Sequence, residues 1–190
     1  MALTESTMLE LGTIAPNFTL TDVVTGKTVS RDDFRGQKAL LVMFICAHCP
    51  YVKHINEGLA KLGKDYAEQP IAIVAISSND VVTHPADDPA GLKRQAESNG
   101  FVFPYLYDET QAVAHAYKAA CTPDFFLFDA DLRLAYRGQF DSSRPGNGIP
   151  VTGEDLRSAI DIVLSGKPIL TDQRPSIGCN IKWAIAKKVE

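Results

Sequence analysis

The run Ala39-Leu40-Leu41-Val42-Met43-Phe44-Ile45 is apolar at every position, the pattern of a strand covered on both faces. Ile71-Ala72-Ile73-Val74-Ala75-Ile76 repeats that pattern. Between the two runs, Val52, Ile55, Leu59, Leu62 and Tyr66 recur at steps of three and four, which places one apolar stripe on a helix. Strand, helix and strand in so short a span predict a right-handed crossover with the strands parallel.

The flanking pattern fills out the architecture. Phe18-Thr19-Leu20-Thr21 alternates, residues 22–26 turn, and Lys27-Thr28-Val29 returns, giving a hairpin. Ser30 with Asp33 is placed to cap a short turn ending at Gly36. Residues 77–89 are polar with two prolines and read as a loop, and 90–98 as a helix stopped by Asn99-Gly100. Pro104-Tyr105-Leu106-Tyr107 is a short strand. Residues 109–119 read as a helix with Val113, Ala116, Tyr117 and Ala120 on one side. Phe125-Phe126-Leu127-Phe128 and Leu134-Ala135-Tyr136-Arg137 flank a turn at Asp129-Ala130-Asp131, an antiparallel hairpin. Thr152 opens the last helix, with Leu156, Ile160, Val163 and Leu164 inward, and Ser165-Gly166 closes it. Residues 167–190 hold two prolines and read as an extended tail with a short turn near Trp183. The predicted class is α/β: a central mixed β-sheet flanked by helices on both faces, an N-terminal β-hairpin and an extended C-terminal tail. One domain covers 1–166, and the tail of 167–190 packs on it.

Composition narrows the function. A chain of 190 residues is long enough for one substantial core. Its 19 basic and 23 acidic residues give a net charge of −4 with no basic stripe, which argues against nucleic acid as a partner. No apolar stretch reaches the roughly 20 residues needed to span a bilayer, so no membrane role is expected. The first residues carry no positive region, and the expected location is cytoplasmic. Nothing in the sequence indicates an oligomeric state.

The chemistry concentrates at Cys46-Ala47-His48-Cys49-Pro50, directly after the first apolar run. Four cysteines are too few for a disulfide scaffold, and a close pair in a reducing compartment is catalytic or metal-binding. A helix starting here leaves unpaired N–H groups that favour negative charge, so Cys46 is expected to have a lowered pKa. Pro50 suits the first turn of that helix. An imidazolium at His48 would favour the Cys46 thiolate further and make the couple more oxidising. A zinc site usually needs two such cysteine pairs, and only one is present. A copper site using Cys46, Cys49 and a distant histidine stays open, but no metal and no cofactor are assigned.

The strings Ala15-Pro16-Asn17-Phe18-Thr19-Leu20, His48-Cys49-Pro50-Tyr51 and Pro175-Ser176-Ile177-Gly178-Cys179-Asn180-Ile181-Lys182-Trp183 resemble the thioredoxin-fold redoxin (AhpC/TSA-like) family, in its peroxiredoxin-like group. The resemblance runs from about Ala15 to Leu164. It implies a thioredoxin-like fold and a thiol–disulfide oxidoreductase in which Cys46 attacks a protein or small-molecule disulfide and Cys49 resolves the mixed disulfide. It also implies that Thr122-Pro123 faces the dithiol through a cis peptide bond, where a bound peptide adds like a strand. Cys121 then approaches the dithiol and is either a third redox thiol or core packing. Cys179 is either a resolving thiol that folds back or a packed thiol of no chemical role.

A thiol peroxidase acting on hydroperoxide is the alternative, and a non-catalytic metal-binding protein is the second. Peroxidases of this fold place a proline seven residues and a hydroxyl residue three residues before the reactive cysteine. Before Cys46 those positions hold Ala39 and Met43; before Cys49 they hold Val42 and Cys46. Thioredoxins carry a tryptophan just before the first cysteine and an aspartate six before it; here these are Ile45 and Leu40. No base for Cys49 is evident in the sequence. His54 and His115 read as surface residues on helices. His84 with Asp87 and Asp88 forms either a cation site or a solvated loop, and Asp129 with Asp131 reads as turn chemistry. Arg144 either borders the site or lies on a surface loop.

Overall fold

The computed structural model describes residues 3–185. Residues 1–2, and the 186–190 end of the expected tail, lie outside the described residues. In chain order the elements are β1 (Leu3–Glu5), β2 (Thr19–Asp22), β3 (Thr28–Ser30), β4 (Ala39–Phe44), α1 (Pro50–Asp65), β5 (Ile71–Ser77), α2 (Pro89–Asn99), β6 (Tyr105–Tyr107), α3 (Ala112–Tyr117), β7 (Cys121–Thr122), β8 (Asp124–Asp129), β9 (Leu134–Gly138), α4 (Glu154–Ser165) and β10 (Ile177–Asn180). The Ser30–Asp33 capping box forms as the sequence indicates and starts a 3-10 turn.

Among the described residues, seven strands form one mixed sheet in the order β3-β2-β6-β5-β4-β8-β9. β4 lies parallel to β5, and β5 to β6; β8 runs antiparallel to β4 on its other side. The uninterrupted apolar run of β4 is explained by its neighbours. Ala39, Leu41 and Met43 enter a core with the inner faces of α1, α2 and α4. Leu40, Val42 and Phe44 point the other way, into a second core under α3. Period-two alternation therefore feeds two apolar layers instead of one. The α1 stripe of Val52, Ile55, Leu59, Leu62 and Tyr66 is buried throughout.

Three predictions change. The 109–119 helix shrinks to α3, because Gln111 and Lys118 on either side take left-handed backbone conformations. Its buried face is Val113, Ala114 and Tyr117, and Ala116 is exposed. The last helix starts two residues after Thr152, since the Asp141 carboxylate holds the amides of Thr152 and Gly153 before the first turn. The tail is not simply extended. Its β10 segment lies between β1 and β7 as the middle strand of a second, three-stranded sheet.

Candidate active site

β4 ends at Phe44, and the chain turns through Cys46 to Pro50 before α1 begins. The helix therefore starts later than the sequence suggested. Pro50 is its first residue and is exposed, and Cys49 is its N-cap. Cys46 is not at an exposed helix end: it and Cys49 are both 0% exposed. Only Ala47 and His48, between them, are half-buried.

Asp87 builds that turn. It sits at the end of a 3-10 turn in the polar 77–89 segment, 0% exposed. Its Oδ1 accepts the amides of Ala47 at 2.8 Å and His48 at 3.0 Å. Its Oδ2 meets His48 Nδ1 at 2.5 Å and accepts from Asn79 Nδ2 at 2.8 Å. Burial pushes the Asp87 carboxyl up, but the hydrogen bonds from His48 and Asn79 outweigh it and leave the carboxyl below its ordinary range. The sequence hinted at this acid only through its place in a polar loop. The His84 ring packs against the His48 ring, centroids 4.6 Å apart and planes tilted by 39°, and Asp88 caps α2 through Gly91 N. The segment that reads as either a cation site or a solvated loop instead turns Asp87 inward to hold the dithiol turn. Behind the turn, buried Gln95 donates to the Cys46 carbonyl and to Asn56, and accepts from Tyr105.

Thr122-Pro123 is cis, and Thr122 faces both sulfurs. Its Oγ1 is 3.4 Å from Cys46 Sγ, and its carbonyl oxygen is 3.3 Å from Cys49 Sγ. Cys121, the neighbour on the strand, points the other way, toward the carbonyls of Pro123 and Ser176. Burial pushes its thiol up. Cys179, brought in by β10, places its Sγ 2.9 Å from Cys49 Sγ. No disulfide is formed among the described residues.

The charge distribution reverses the expectation for Cys46. Burial pushes the Cys46 thiol up, and the Cys49 sulfur to which it hydrogen-bonds and the Asp87 carboxylate act in the same direction. The hydrogen bond from Cys46, set against burial and joined by those from the Cys179 thiol and the Val52 amide, brings Cys49 down to about 4. The helix begins at Pro50 with Cys49 as its N-cap, so its dipole favours negative charge at Cys49 rather than at Cys46. His48 is 3.7 Å from Cys46 Sγ through the same Nδ1 that meets Asp87. Its donor is therefore spent mainly on the carboxylate rather than on the sulfur.

Cys46 Sγ, a His48 nitrogen and an Asp87 oxygen all lie within 4.8 Å of one another. As a metal site the set fits poorly. A carboxylate has about four lone-pair positions, and those of Asp87 already take four donors. A cation would have to displace them.

The other candidates are scattered. His54 is half-buried rather than a plain surface residue, and it shares a narrow cleft with Pro123 and Arg144. Arg144 thus borders the far side of Pro123, its guanidinium held by the Asp141 and Ser143 carbonyls and by Gln139. His115 is exposed and stacks on Trp183 at 4.1 Å. Asp129 accepts the amides of Asp131 and Arg133 in its turn. A cleft of about 390 Å³ between α4 and the 169–174 segment has no cysteine in its lining. No helix among the described residues is long and apolar enough to cross a membrane.

Comparison with known proteins follows the same lines. Residues 11–137 match the model of the AhpC/TSA family. The thiol-disulfide oxidoreductase ResA of Geobacillus kaustophilus is 28% identical over 126 residues, 66% of this chain and 67% of that protein. A crystal structure of an uncharacterized conserved protein from Geobacillus kaustophilus superposes with a TM-score of 0.95 at 53% identity, covering 98% of each chain. The thioredoxin domain of a thiol-disulfide oxidoreductase from Bacteroides vulgatus superposes with a TM-score of 0.58 at 22% identity, over 68% of this chain and 89% of that one. The fold is thioredoxin-like.

Proposed function

We propose that this chain, which belongs to the AhpC/TSA family, is a thiol–disulfide oxidoreductase working through the Cys46–Cys49 pair. The observation that carries the reading is the meeting of both sulfurs at Thr122, whose hydroxyl lies 3.4 Å from Cys46 Sγ and whose carbonyl oxygen lies 3.3 Å from Cys49 Sγ. Similarity to a thiol-disulfide oxidoreductase over two thirds of the chain supports it.

The two sulfurs divide the work. Cys49 holds the negative charge at rest, enclosed by Thr122, Val52 and Cys179. Cys46 lies next to half-buried Ala47 and His48, on the side a substrate reaches. Passing the Cys46 proton along the hydrogen bond to Cys49 leaves a thiolate at Cys46, which the Thr122 hydroxyl stabilises. That thiolate attacks a substrate disulfide, a bond to Cys46 forms, and one substrate sulfur leaves as thiolate. Cys49, once deprotonated, then displaces the other, giving the Cys46–Cys49 disulfide and a substrate dithiol. Two electrons pass to the substrate; the reverse sequence oxidises a dithiol. A hydroperoxide is the poorer substrate, because Met43 stands where peroxidases of this fold place a hydroxyl.

The test is a pair of substitutions. Cys46→Ser abolishes reduction of a protein or small-molecule disulfide, and Cys49→Ser accumulates mixed disulfides at Cys46. Wild-type turnover in both variants overturns the reading.

A further inference from the structure

Cys49 has a sulfur on each side. Cys46 lies three positions back in the same turn, with both sulfurs against Thr122, and Cys179 Sγ stands 2.9 Å away, against about 2.05 Å for a disulfide bond. The second contact spans 130 positions of sequence and is set by strand register. β10 pairs antiparallel with β7, with Cys179 opposite Thr122 and Asn180 opposite Cys121. On its other edge β1 pairs Leu3 with Cys179. Gly178 permits this close approach: a Cβ there would lie 2.0 Å from the Thr122 carbonyl oxygen and 2.7 Å from its carbon. Ser176 anchors the strand's start by donating to the Pro123 carbonyl at 2.6 Å. The tail therefore lies as an added strand on the edge that faces the dithiol, where an extended peptide would pair. It presents a cysteine at the position nearest the two sulfurs.

We propose that β10 is a built-in substrate strand and that Cys179 is a third redox thiol, taking the disulfide from Cys46–Cys49 by forming Cys49–Cys179. The proposal rests on the Cys46–Cys49 exchange described above. Once that pair is oxidised, the Cys179 thiolate attacks Cys49 Sγ. The Cys49–Cys179 bond forms, the Cys46–Cys49 bond breaks, and its electron pair leaves on Cys46. Cys46 takes up the proton that Cys179 gave away. No oxidant is consumed, because the disulfide is moved and not made.

The electrostatics supply an order of events. In the reduced protein, burial together with the neighbouring Cys49 sulfur raises the Cys179 thiol to about 12. Oxidation of Cys49 removes that negative charge and favours the Cys179 thiolate. Transfer then returns Cys46, the sulfur beside the half-buried turn, to its thiol form.

Disulfide mapping tests this. The full chain is equilibrated in a glutathione redox buffer, quenched in acid, alkylated, digested and analysed by mass spectrometry. In the wild type, the Cys179 peptide is found linked to Cys49 with Cys46 alkylated, alongside the Cys46–Cys49 form. In Cys46→Ser the Cys49–Cys179 link becomes the main oxidised species. In Cys179→Ser it is absent, and Cys46 is protected from alkylation in every oxidised molecule. If neither the wild type nor a Cys46→Ser variant with native circular dichroism forms the link while the wild type still forms Cys46–Cys49, the third thiol is refuted and the oxidoreductase reading stands. If Cys46–Cys49 does not form even in Cys179→Ser, the oxidoreductase reading fails, and this one with it.

Discussion

Asp87→Asn is the most incisive single change, because one buried carboxylate holds the whole dithiol turn. Its four donors are the amides of Ala47 and His48, the His48 ring and the Asn79 amide. Asparagine keeps the shape but offers one acceptor oxygen and turns an NH2 group toward two of those donors. Hydrogen bonds to a charged partner contribute about 1.5–3 kcal/mol each. Two such losses, reduced because Ala47 and His48 are half-buried and partly reached by water, come to about 2–4 kcal/mol. For a chain of this length that lowers Tm by about 5–15 °C. The change also removes a negative charge that raises the Cys46 thiol, so Cys46 should titrate at lower pH. Urea unfolding at several pH values measures the first effect, and the rate of Cys46 alkylation against pH measures the second. The sign with pH follows from the lowered Asp87 carboxyl. Its stabilisation is fully present above the ordinary carboxylate pKa of about 3.9 and is lost as pH falls through the folded value. The gap between wild type and variant should therefore be flat down to about pH 4 and narrow below it. A loss under about 0.5 kcal/mol, the size of an ordinary surface change, or a gap that widens on acidification would refute the assignment.

Asp124 and Arg137 are both 0% exposed and paired at 3.1 Å beneath Pro123, with Ser6 and Thr7 tied to them. Asp124→Ala strands a buried guanidinium and should cost about 3–5 kcal/mol, read by denaturant unfolding; a cost below 1 kcal/mol would show that the arginine finds other partners. Gly178→Ala drives a Cβ against the Thr122 carbonyl and should cost about 1–3 kcal/mol. It should also speed proteolysis of the tail, and an unchanged cleavage rate would show that β10 tolerates the shift. Cys121→Ala should leave the rate of disulfide exchange within about twofold, since its thiol points away from the other sulfurs; a tenfold loss, about 1.4 kcal/mol, would make it a redox group.

The parts of the site legible in the sequence are those whose signal is local. Cys46 and Cys49 are three positions apart on the strand-to-helix turn, and Thr122-Pro123 is a two-residue string. The resemblance puts the second against the first, and the cis Thr122-Pro123 bond lies beside both sulfurs. Asp87 was not legible, because a polar segment with two prolines looks the same whether its acid faces water or turns inward. Only the partners 39 and 40 positions earlier, His48 and Ala47, decide that. The residue that caps the helix also differs from the expectation. The sequence marks a helix start near the cysteines, but its first residue falls at Pro50, and a shift of one turn moves the dipole from one thiol to the next.

Local pattern determined the centre of the main sheet: two uninterrupted apolar runs mark β4 and β5, a stripe at steps of three and four marks α1, and two apolar runs around a turn mark the β8–β9 hairpin. It could not determine the second sheet. β1, β7 and β10 come from distant parts of the chain with no turn joining any two of them, and each is a strand only because the others lie beside it. Tertiary structure therefore decided which distant cysteine meets the dithiol. A side-chain pattern reports which face of an element is apolar; it carries no information about which strand, from which end of the chain, will complete an open edge.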